Sequence, residues 1–170
     1  MEEYVILVDE HDQTIGKEEK MKAHELGILH RAFSVFVFNS QGELLLQQRA
    51  KSKYHSGGLW TNTCCSHPRP EEETLAAAHR KLIQEMGFDC ELSEAFSFTY
   101  KAALDHSLTE HEFDHVLIGK YDSDPVLNPE EADAFKWASL EWIKEDLLKN
   151  PDAYTVWFKI CFEQVTKYRG

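Results

Sequence analysis

Residues 60 to 70 read WTNTCCSHPRP, two adjacent cysteines with a histidine two places after the second. Thiolate sulfur and neutral imidazole both bind metals, and a thiol near a base is also a nucleophile or a proton carrier. Cys64, Cys65 and His67 therefore admit a metal site, a disulfide, a reactive thiol, or two small core residues. A bond between neighbouring cysteines strains the backbone, and Cys90 and Cys161 complete no CxxC pair. His24 and His30 lie in two further segments, so three imidazoles could converge on one ion in the fold. Farther along, TEHEFDH over residues 109 to 115 contains the pattern HExxH. On a helix, His111 and His115 would share a face as in zinc proteases. On a strand, period two instead puts Glu110, Glu112 and Asp114 on one face and His111, Phe113 and His115 on the other. The apolar, β-branched continuation VLIGKY favours the strand. Carboxylates sharing a face can hold a metal or work as acid and base.

These groups need elements to position them. YVILV at Tyr4 to Val8 reads as a strand, followed by a polar turn, DEHDQT, and a helix from Lys17 to Glu25. Ala32 to Phe38 and Leu44 to Arg49 read as a hairpin around the turn NSQGE. The loop from Lys51 to Leu59 follows. With Arg49, its lysines Lys51 and Lys53 make a basic cluster able to clamp a phosphate. Glu72 to Met86 is the best helix, with Leu75, Ala78, Leu82 and Met86 at helical spacing and Gly87 as its stop. Strands over Phe96 to Ala102, Phe113 to Tyr121 and Phe135 to Ala138, and helices over Leu140 to Leu148 and Tyr154 to Tyr168, complete an α/β (α+β) layered domain.

Composition bounds the function. With 170 residues and 42% hydrophobic content, the chain is expected to be one domain with a real core. A net charge of −12 speaks against non-specific nucleic-acid binding. It leaves room for an anionic small molecule held by a local basic cluster or a metal. No apolar run approaches the roughly 20 residues of a membrane span, and MEEYVILVDE has no signal-peptide pattern. A cytoplasmic protein with free thiols is expected, with no membrane partner.

The segment from residue 66 to 87 resembles the Nudix hydrolase pattern G-x5-E-x7-R-E-U-x-E-E-x-G-U, in which U is aliphatic. Ser66 falls on the first glycine, Glu72, Arg80, Leu82, Glu85 and Gly87 match, and Lys81 and Gln84 replace two glutamates. A lysine cannot ligate Mg²⁺ beside carboxylates, so the resemblance implies a Nudix scaffold with incomplete hydrolytic machinery. A more specific likeness covers nearly the whole chain. LHRAFSVFVF, LLLQQRAKSK, WTNTCCSHP, EHEFDHVL and TVWFKI are similar to type I isopentenyl-diphosphate isomerases. That resemblance implies a single Nudix-like mixed-sheet sandwich with flanking helices over residues 1–170, residues 1–30 serving as a candidate lid. It implies interconversion of isopentenyl and dimethylallyl diphosphate through a tertiary carbocation. It places Cys65 and Glu112 as catalytic groups with Tyr100 beside the glutamate, and leaves Cys64 to packing. His24, His30, His67, Glu110 and Glu112 fall on ligands of one divalent metal (Mn²⁺, Zn²⁺ or Mg²⁺), and Glu85 on the ligand of a Mg²⁺ bridging the diphosphate. Lys20, Arg49, Lys53 and Ser66 fall at the diphosphate and Trp157 near the hydrocarbon. The implied partner is a small isoprenoid diphosphate, and the implied assembly a monomer or weak homodimer. Val156 stands where that family often has proline, and Lys81 is left without a role.

Overall fold

The computed structural model describes residues 3–168. Among these the chain forms nine strands and four helices: β1 (Tyr4–Val8), β2 (Thr14–Glu19), α1 (Lys20–Leu26), β3 (His30–Phe38), β4 (Leu44–Arg49), β5 (Trp60–Thr61), β6 (Cys64–Ser66), α2 (Thr74–Met86), β7 (Leu92–Ala103), β8 (Thr109–Lys120), β9 (Ala132–Ala138), α3 (Leu140–Lys149) and α4 (Val156–Val165). All nine strands belong to one mixed sheet. The long central strand β3 pairs in parallel with β8 from His30↔Glu112 to Phe38↔Lys120, and antiparallel with β6 through Ser34↔Cys65. β7 runs antiparallel along β8, and β4 carries β9 and β5.

The period of two sorts β3 into two cores. Phe36 and Phe38 join Leu44, Leu46, Val116 and Ile118 under α3 and α4, against Ile143, Phe158 and Phe162. Phe33, Val35 and Val37 join Leu45, Cys64 and Leu117 under α2, against Ala78, Leu82 and Met86. With both faces covered, the middle of the sheet reads as a continuous apolar run, AFSVFVF. Gly87 closes α2 at φ +71, and a Cβ there would stand 2.6 Å from the carbonyl oxygen of Val126. The helix therefore has to stop on glycine.

Several elements differ from the sequence-based expectation. The helix expected from Lys17 is strand β2 as far as Glu19 and helix only from Lys20. TIGKEE has no buried stripe, Ile15 being 66% exposed, and its extended form comes from pairing with β1 between Tyr4↔Glu19 and Val8↔Thr14. Leu75, expected in the core, is 44% exposed. The inward face of α2 instead carries Ala77, Ala78, Lys81, Leu82, Glu85 and Met86. Its two charged members face a cleft rather than a core. β5 and β6 were not expected, because two and three residues are too few to display a period. The last helix begins at Val156, since Tyr154 bridges Trp60 and the Thr155 amide donates to the Trp60 carbonyl at 3.0 Å. That tie, with Thr155 Oγ 2.8 Å from Thr61 Oγ, fixes the turn without a proline at 156.

Candidate active site

The paired cysteines part ways on β6. Successive strand residues face opposite sides, so Cys64 is fully buried under α2 while Cys65 lines a cleft on the other face. The rest of WTNTCCSHP holds that arrangement. Asn62 Nδ2 donates to the carbonyls of Val35 (3.0 Å) and Cys64 (2.9 Å), and its Oδ1 accepts from the Trp157 indole at 3.1 Å. Thr63 Oγ donates to the Leu45 carbonyl at 2.7 Å and accepts from the Val37 amide at 2.9 Å. Asn62 and Thr63 are fully buried, so each bond replaces one to water and none is dispensable. All four cysteines are free thiols. Burial pushes the Cys65 thiol far up, with Glu85, Glu110 and Glu112 adding to the effect against the pull of Arg49.

HEFDH lies on β8, so the zinc-protease geometry is absent. Glu110, Glu112 and Asp114 are buried on one face. On the other face His111 Nδ1 meets the Gly27 carbonyl, and His115 bridges Asp12 and Glu94. The fold brings His24, His30, His67 and Glu112 together, with ligand atoms within 4.8 Å of one another. His67 Nε2 lies 2.8 Å and His30 Nε2 3.3 Å from Glu112 Oε2, and His24 Nε2 lies 3.7 Å from Glu110 Oε2. Tyr100 hydrogen-bonds Glu110 and stands 2.8 Å from Glu112 Oε1. Burial alone would raise the Glu112 carboxyl, yet the His30 and His67 imidazoles beside it hold it well below the usual carboxylate range. Burial pushes His67 down to about 4, so its ring is neutral near pH 7, with Nε2 2.8 Å from Glu112 Oε2.

The residues fit a divalent cation. His24 and His30 Nδ1 lie 2.7 and 2.8 Å from the carbonyls of Lys20 and Ile28, which fixes the protonated nitrogen. That leaves each Nε2 a buried lone pair with no hydrogen-bond partner, aimed at carboxylates. A hydrogen-bonding core does not leave such atoms unpaired, whereas a cation satisfies them.

The other end of the cleft is basic. Lys20, Arg49, Lys53 and Lys81 line it together with Ser66, Glu85, Glu131 and Trp157. Lys53 pairs with Glu131 at 2.7 Å, and Lys81 reaches Glu85 at 3.4 Å and Glu131 at 3.8 Å. Arg49 is 6% exposed and makes no ion pair among the described residues. Its terminal nitrogen donates to the His55 carbonyl at 3.0 Å, while Nε is buried with no partner. A buried guanidinium with a free donor is costly until an anion arrives.

This constellation can be set beside known proteins. The NUDIX domain matches residues 28–158. A protein of Aromatoleum aromaticum named isopentenyl-diphosphate Delta-isomerase 2 is 56% identical over 170 residues, covering 100% of this chain and 90% of the relative. The isopentenyl-diphosphate Delta-isomerase of Serratia proteamaculans is 54% identical over 158 residues, covering 93% and 88%. The chain belongs to the isopentenyl-diphosphate Delta-isomerase family. Among solved structures, the MutT protein of Methanosarcina mazei superposes with a TM-score of 0.68 at 20% identity, covering 82% of this chain and 94% of that one. At that identity the likeness speaks to fold.

Seen as a member of this family, the chain gathers nearly all its sequence-predicted site residues in one place. Cys65, Ser66, His67, Glu85, Glu110, Glu112, Lys20, Arg49, Lys53 and Trp157 line the cleft. Tyr100, His24 and His30 do not line it but stand behind Glu110 and Glu112. Glu85 belongs to neither His/Glu group and stands with Lys81 and Gln47. Reasoning from sequence missed Lys81, Glu131, Tyr54 and His55, all in the cleft. Lys81 had a signal, because a lysine in place of a Nudix glutamate reverses the charge where an anion would bind. His55, in a loop beside Gly57 and Gly58, carried none.

Proposed function

We propose that this chain interconverts isopentenyl diphosphate and dimethylallyl diphosphate. One observation carries the reading: a single cleft joins a partly buried thiol, a buried carboxylate pair, an indole, and a guanidinium with an unused donor. The guanidinium end, with Lys20, Lys53 and Lys81, suits a diphosphate. Trp157 also lines the cleft, and an indole there can stabilise a short hydrocarbon bearing positive charge.

Shifting the double bond adds a proton at one carbon and removes one from another. Protonating an unactivated alkene needs a strong acid, while the carbocation so formed gives up its adjacent proton readily. Burial makes the Cys65 thiol a weak acid, poorly suited to the first task. Glu112, held low, is the stronger acid whenever it carries a proton, and the Tyr100 hydroxyl beside it can share one. We therefore assign protonation to Glu112 with Tyr100, and the exchange of the second proton to Cys65. A divalent ion held by His24, His30, His67, Glu110 and Glu112 would supply charge that sharpens this acidity, and a Mg²⁺ on Glu85 would supply charge to the diphosphate. The nitrogen-rich donor set suits Zn²⁺ or Mn²⁺ better than Mg²⁺. Water must be excluded from the cation. Glu3 and Lys20 line the cleft and pair at 2.5 Å, which supports the segment up to residue 30 as a lid over one domain; Met1 and Glu2 lie outside the described residues. Among the described residues no helix is long and apolar enough to cross a membrane. Four free thiols support a reducing, cytoplasmic setting, and the acidic surface a small-molecule rather than nucleic-acid partner.

The test is NMR of isopentenyl diphosphate with enzyme, Mg²⁺ and Mn²⁺ in D₂O. Dimethylallyl diphosphate carrying deuterium is expected. Phosphate release without isomerisation would mark a hydrolase and overturn the proposal.

A further inference from the structure

His55 is not among the ligands named above. It lies in the loop between β4 and β5, is 2% exposed and lines the cleft. Its ring is built into place in the same manner as those of His24 and His30. In all three, Nδ1 is engaged, by the Lys20 carbonyl at 2.7 Å, the Ile28 carbonyl at 2.8 Å and the Ser56 hydroxyl at 3.0 Å. Each Nε2 is buried without a hydrogen-bond partner. Each also stands 3.3 to 3.7 Å from a carboxylate oxygen, His55 from Glu110 Oε2 at 3.3 Å. That combination, one nitrogen held and the other bare toward carboxylates, is how a protein presents an imidazole to a cation.

The plainer alternative is a hydrogen bond clamping Glu110. The 3.3 Å contact does not meet hydrogen-bond geometry, and Nε2 is left unsatisfied. Nor is the ring free to turn elsewhere. Tyr54 meets it edge-on at 4.4 Å and Trp157 at 5.9 Å, while Arg49 holds its backbone carbonyl. The ligand atoms of His24, His55 and Glu110 lie within 4.8 Å of one another, a group that shares His24 with the set around Glu112.

We propose that His55 is a fourth imidazole ligand of the ion held by His24, His30, His67, Glu110 and Glu112, bound through Nε2. The proposal rests on the reading of that cluster as a metal centre. Four nitrogens and two carboxylate oxygens complete a six-coordinate site, and the added nitrogen shifts preference away from Mg²⁺ toward later transition metals.

Co²⁺ alone, titrated into the full chain and into His55→Gln and His55→Ala, tests this without turnover. Wild type should bind one Co²⁺ at the cluster and show hyperfine-shifted proton NMR signals from four imidazoles. His55→Gln should show three and bind Co²⁺ at least 10- to 100-fold more weakly. The wild-type count needs no variant, so a variant that fails to fold does not shield the idea. Three imidazoles in the wild type would overturn the proposal while leaving the metal centre intact. So would two ions in the wild type with only one in His55→Gln, since His55 would then serve a separate ion. Failure of the wild type to bind Co²⁺ would remove the metal reading and this proposal together.

Discussion

Tyr100→Phe removes a single hydroxyl from between two buried carboxylates. The ring is 7% exposed and stacks on Phe98 with centroids 5.4 Å apart, so phenylalanine preserves the packing. The hydroxyl has one proton and two claimants, Glu110 and Glu112, and serves one at a time. Its loss therefore forfeits one hydrogen bond to a charged acceptor, about 1.5–3 kcal/mol. Tyr100 stands behind Glu112 rather than in the cleft, so its effect should reach the reaction only through that carboxylate. The whole loss should then appear in kcat, a fall of about 10- to 150-fold, with KM within about threefold of wild type. Deuterium incorporation from D₂O should slow in parallel, while Co²⁺ or Mn²⁺ affinity changes little. The assay is steady-state isomerisation alongside metal titration and thermal melting. A kcat within about threefold of wild type, or a raised KM at unchanged kcat, would refute the argument that Tyr100 governs the proton on Glu112.

Cys65→Ala should abolish isomerisation. Cys64→Ala, which empties a core position under α2, should keep turnover and lose about 1 kcal/mol in denaturant melts; equal losses of turnover would contradict the opposed facing of the pair. Arg49→Gln removes the buried donor and its charge, and should raise KM for the diphosphate at least tenfold, about 1.4 kcal/mol or more; an unchanged KM would remove Arg49 from the diphosphate end. Glu72 is spent on a two-point pair with Arg80, at 2.8 and 2.9 Å, rather than on a metal. Glu72→Gln should accordingly keep turnover. The Arg80 hydrogen bond holds the Glu72 carboxyl below its ordinary 4.5. A depressed carboxylate stabilises above its unfolded value and loses that contribution as pH falls through the folded one. The stability gap between wild type and Glu72→Gln, under about 1 kcal/mol for a partly exposed pair, should be present at pH 6–7 and shrink as pH falls below 4.5; a gap that widens in acid would reverse the sign.

The sequence by itself determined the layered class and most of the strands. AFSVFVF and VLIGKY are apolar and β-branched enough to require a doubly covered sheet, and period two on β8 was sufficient to set Glu110, Glu112 and Asp114 against His111 and His115. Composition and pattern favoured a strand over the helix that HExxH chemistry needs, and the pairing of β8 with β3 and β7 decided it. Family likeness named the cysteine, the glutamate and the ligands one by one. Only the tertiary structure decided what depends on neighbours far along the chain. β2 is a strand because β1 lies beside it, and its own residues carry no period. Lys81 and Glu85 face inward on α2 because a cleft, rather than apolar core, lies opposite them. Cys64 and Cys65 are the same residue type in adjacent positions, and what separates them is which face of β6 meets α2. The least legible residue is His55, in a polar glycine-bearing loop. Its buried nitrogen acquires meaning only when β8, 55 positions away at Glu110, is laid beside it. Local pattern reports how a side chain alternates or repeats, while a metal site or an anion cradle is a convergence of distant segments that no local period records.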